Sequence, residues 1–99
     1  MAKTGLPTER GVSTFSALMR EARVLDEDAG IRFAGDLRGE KCMVFVTRFG
    51  PRYTIMAYST KGRTGIPDRR LETTEVETPA ALSTALRKLV GSSVRAYVY

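Results

Sequence analysis

Between Lys41 and Thr60 the chain reads K-C-M-V-F-V-T-R-F-G-P-R-Y-T-I-M-A-Y-S-T, two runs of β-forming residues that meet at Gly50-Pro51. Aromatic and β-branched residues suit a pleated, half-buried backbone, so the segment predicts strands at 41–49 and 52–60. Glycine supplies the positive φ of a type II′ turn, although proline as the second loop residue is unusual. A two-residue turn sets Arg48 opposite Tyr53, Val46 opposite Ile55, Val44 opposite Ala57 and Cys42 opposite Ser59 on one face. That face is largely aliphatic and calls for helices. The other carries Met43, Phe45, Thr47 and Phe49 against Arg52, Thr54, Met56 and Tyr58. It is too apolar to face water alone, and a one-residue slip would exchange the two faces.

The rest of the chain supplies the cover for one of them. Phe15, Leu18, Met19, Ala22 and Leu25 recur at helical spacing after Ser13, which is placed to cap, and predict a helix over 13–25. Thr78, Pro79, a stripe of Leu82, Ala85, Leu86 and Leu89, then Arg87, Lys88 and Gly91 predict a second helix over 79–90. Short strands are expected at 31–34 and 70–76. The alternation of S-V-R-A-Y-V-Y adds a last strand, bringing Arg95, Tyr97 and Tyr99 to the apolar face. Gly5, Pro7 and Gly11 without periodicity read as an arm over residues 1–12, with one domain over 13–99. The predicted class is α+β: a small antiparallel sheet with two helices on one face, in the order α-β-β-β-(β)-α-β.

Composition narrows the function classes. Apolar residues make up 42% and charged residues 27% of the 99, an ordinary globular balance for a single core. No apolar run approaches the roughly 20 residues of a membrane span, and the first residues lack the apolar block of a signal peptide. With a lone cysteine, Cys42, set inside an apolar run, this predicts a cytoplasmic protein with no membrane partner. Histidine is absent, which removes the commonest general base and neutral metal ligand. Asp26, Glu27, Asp28, Asp36 and Glu40 show no calcium-loop pattern and read as solvated turns. No nucleophile pairs with a base, so no enzyme, cofactor or metal is expected.

The charge is concentrated. Residues 48–70 hold six bases and one acid, equal to the whole net charge of +5, while the flanking segments are each neutral. A localised basic patch attracts polyanions. Arg48, Arg52, Lys61, Arg63, Arg69 and Arg70 are the candidate nucleic-acid contacts. The loop Ser59-Thr60-Lys61-Gly62-Arg63-Thr64-Gly65 could form a phosphate nest, although it lacks the spacing of a nucleotide P-loop. Phe45, Phe49, Met56, Tyr58, Tyr97 and Tyr99 are the candidate stacking face. The expectation is a non-enzymatic nucleic-acid-binding or nucleoprotein-associated protein. The alternative is a protein-interaction or inhibitor module, a homodimer through the apolar sheet face among the forms it could take.

Overall fold

The computed structural model describes residues 10–61, 66–90 and 94–99. Its elements run β1 (Arg10–Val12), α1 (Phe15–Arg23), β2 (Gly30–Leu37), β3 (Glu40–Phe49), β4 (Arg52–Lys61), β5 (Ile66–Val76), α2 (Pro79–Arg87) and β6 (Ala96–Val98). The six strands form one antiparallel sheet in the order β1-β6-β2-β3-β4-β5. The molecule is thus an α+β fold. Within the segment read as an arm, residues 10–12 are a strand on β6, while residues 1–9 lie outside the described residues.

Local chemistry accounts for the element ends. Each helix is capped by a threonine in extended conformation: Thr14 Oγ1 accepts from Ala17 N at 3.1 Å, and Thr78 Oγ1 accepts from Ala81 N at 3.1 Å. Thr14, rather than Ser13, therefore sets the start of α1. Pro79 fills the first helical position of α2, where no backbone donor is needed. Arg38 and Gly39 both adopt positive φ, 54° and 86°, the pattern of a type I′ turn joining β2 to β3. Gly50, at φ 62°, opens the two-residue loop between β3 and β4. That loop fixes the register expected from sequence, with Arg48 opposite Tyr53 and Val44 opposite Ala57.

Alternate strand residues point into one core. Ile31, Phe33, Val44, Val46, Ile55, Ala96 and Val98 share a cluster with Leu18, Met19 and Ala22 of α1 and with Leu82 and Leu86 of α2. Burial of each large aliphatic side chain here is worth about 1.5–3 kcal/mol. Gly35 marks a close approach of the segment after α2 to the sheet: a Cβ there would lie 2.6 Å from the Leu89 carbonyl, which accepts from Asp36 N at 2.7 Å. Only glycine lets the two backbones meet at this distance.

The loop after α1 is tied to the β3–β4 turn. Glu27 accepts from Gly50 N at 2.7 Å, and Arg48 donates to the Leu25 carbonyl at 3.0 Å. Glu27 and Asp36, both from the acidic group seen in the sequence, are thus turn acceptors, Asp36 binding Gly39 N at 2.8 Å.

Candidate functional site

The sheet face opposite the core carries a continuous cross-strand row, Gly11, Tyr97, Arg32, Phe45, Met56 and Thr73, that crosses all six strands. At about 4.8 Å per strand interval, the row extends roughly 24 Å. Beside it runs a second row, Ala34, Met43, Tyr58 and Arg70. Met43, Phe45, Met56, Tyr58 and Tyr97 are half-buried, in contrast to the buried residues between them.

Contacts within the face order its rings. Phe45 and Tyr58 meet edge to face at 5.8 Å and 80°, and the Arg32 guanidinium lies 4.9 Å from the Tyr97 ring centre. The Tyr58 hydroxyl donates to Met56 Sδ at 3.8 Å. Tyr99 covers Gly30, where a Cβ would fall 2.7 Å from its ring, and the two residues exchange backbone hydrogen bonds of 2.9 Å. Phe49 stands at the hairpin tip with 78% of its surface exposed.

The six predicted cations do not form one set. Arg48 lies opposite Tyr53 on the core side, as the register predicts; it donates through Nε to the Gly50 carbonyl at 2.9 Å and through a terminal nitrogen to Leu25, and rests 5.6 Å from the Tyr53 ring centre. These contacts commit its guanidinium to the fold. Arg52 is exposed but faces Glu77 at 3.3 Å and Glu75 at 3.9 Å, pairs worth about 0–1 kcal/mol at a surface. Lys61 ends β4 with its backbone opposite Ile66; its side chain, Arg63 and the center of the expected phosphate nest lie outside the described residues.

Arg69 and Arg70 are exposed, with no ion-pair partner among the described residues. The register of β5 shifts on either side of Tyr58. The extra residue Leu71 is taken up as a bulge, so Arg70 lies opposite Tyr58 on the aromatic face. Strict alternation from Glu72, opposite the buried Ala57, would have turned it to the core side. Ser59 pins the irregular stretch, its Oγ accepting from Arg69 N at 3.1 Å and donating to Arg69 O at 3.4 Å.

Arg32 is the residue that sequence reasoning missed. Its signal was present in I-R-F, where a base between two large apolar residues in a strand must point away from the core.

No family model, no curated protein and no solved structure matches this chain. Among the described residues no group of carboxylates or cysteine is arranged to hold a metal ion, and no helix is long and apolar enough to cross a membrane.

Proposed function

We propose that the protein is a non-enzymatic nucleic-acid-binding protein that holds a single strand across its open sheet face. The observation that carries this reading is the row Tyr97, Arg32, Phe45 and Met56, flanked by Tyr58 and Arg70, on the face opposite the core. Aromatic and guanidinium planes accept unstacked bases of any sequence, and neighbouring cations meet the phosphates. Arg32, Arg69 and Arg70 replace Arg48 in the set of contacts.

A protein-interaction surface is the second reading, favoured by exposed Phe49 beside an Arg52 already paired with two glutamates. Self-association across the face is the weaker form of it. A two-fold axis near the central row would bring the two copies of Arg32 together as like charges.

Fluorescence anisotropy with labelled oligonucleotides tests the proposal. Contacts from three arginines give a slope of log affinity against log salt of about −2.1 for a single strand. Tyr97→Ala weakens single-strand binding by about 1–3 kcal/mol with little change in duplex binding. The absence of any binding tighter than millimolar at low salt overturns the reading and leaves the protein-interaction surface.

A further inference from the structure

A separate group of arginines lines the helices. A groove of about 480 Å³ runs between α1 and α2, within the usual size of small-molecule sites. Two helical stripes line it: Ser16, Arg20 and Arg23 on α1 at i, i+4 and i+7, and Ser83 and Arg87 on α2 at i and i+4. Phe15 and Met19 supply its apolar part.

No carboxylate lines this groove; Glu21 of the same helix lines a separate depression with Val24 and Asp26. Arg38 and Arg52 each face a glutamate and Arg48 is held by carbonyls. Arg20, Arg23 and Arg87 have no such counter-charge among the described residues. The Arg87 guanidinium lies 4.2 Å from the Phe15 ring centre. Stacking engages its face and leaves its edge of N–H donors available in a fixed orientation.

We infer that this groove binds a phosphate monoester. The phosphate sits among Arg20, Arg23 and Arg87, Ser16 and Ser83 add hydroxyl donors, and the organic part of the ligand lies on Phe15 and Met19. Three cations without counter-charge repel one another, and a dianion with three acceptor oxygens relieves that repulsion more fully than a carboxylate. An inorganic ion would leave uncovered the apolar surface that Phe15 and Met19 contribute to the groove. The site is independent of the open sheet face and uses none of its residues.

Nitrogen–proton correlation NMR of the full chain, titrated with phenyl phosphate, inorganic phosphate and benzoate, provides the test. Phenyl phosphate is expected to shift resonances of residues 15–23 and 83–87 and to bind tightest of the three. Arg20→Ser weakens it roughly tenfold or more. Arg87→Lys weakens it while keeping the charge, because an ammonium neither stacks nor forks as a guanidinium does. Arg87→Lys also decides the matter if Arg20→Ser lowers the unfolding midpoint. Tyr97→Ala leaves phenyl phosphate binding unchanged. A 5′-phosphorylated oligonucleotide and its unphosphorylated twin then separate the sources: groove shifts with the first alone assign the phosphate to a strand end, and shifts with neither assign it to a small molecule. Groove resonances that stay still at high millimolar phenyl phosphate overturn the inference, as does benzoate binding equally well or an acidic peptide binding more tightly. The open-face reading survives that failure, because it is read from resonances of Phe45, Tyr58 and Tyr97.

Discussion

Cys42 shows how position decides the chemistry of a residue. It is 2% exposed, and burial, followed by the fields of Asp36, Glu40 and Glu72, pushes its thiol pKa up against the lowering effect of a hydrogen bond to the Gly35 backbone. Thiolate is the reactive form, so native protein at mildly alkaline pH is expected to resist iodoacetamide, while denatured protein labels at the rate of a free thiol. Rapid native labelling would contradict the burial. Because the folded thiol stays protonated where the unfolded one ionises, stability falls as pH rises past the unfolded value of about 8.5 toward the folded one. Arg48 makes the same point about charge. The density of bases in 48–70 was legible, and so was the core-side register of Arg48, but one of the two carbonyls that hold it, that of Leu25, comes from a loop 23 residues away.

Elements with strong local signals were read well. The β3–β4 hairpin follows from alternation and Gly50, and both helices from their apolar stripes, the second also from its capping Thr78, whereas the first is capped by Thr14 and not by the expected Ser13. Thr78→Ala leaves the Ala81 N–H without its acceptor, and is expected to lower stability by about 1 kcal/mol in chemical denaturation, with the slope unchanged. Thr78→Asp should retain most of it; equal losses for both variants would assign the effect to something other than the cap. The weaker signals failed for identifiable reasons. β1 is three residues long, too short to show a period. β5 extends from Ile66, not 70, because its bulges break the alternation on which a strand is recognised. The helical groove was illegible as a site, because Arg20 and Arg23 are distant in sequence from Arg87. Only the folded sheet sets the two stripes side by side.

At the scale of the whole molecule, the sheet separates two chemistries: aromatic and sulfur-bearing side chains with arginines on one face, and on the other the aliphatic residues that share a core cluster with residues of both helices. That division was partly legible, since the hairpin alone showed two apolar faces. Its completion depends on strand order. β6 lies between β1 and β2, so β1 joins the sheet solely through β6. The consequence is kinetic. The β2–β3–β4–β5 meander closes through short connections, whereas docking of β6 requires ordering a long intervening chain, a slower event. Until it occurs, the backbone of β2 from Ile31 to Phe33 is an unprotected edge able to template another chain. Refolding yield should therefore fall with protein concentration, even where native protein stays monomeric. Val98→Ala, in β6 and 8% exposed, should speed unfolding while leaving the folding rate nearly unchanged in stopped-flow measurements. A matching drop in the folding rate would instead place β6 in the nucleus, and the vulnerable interval would then be too brief to matter.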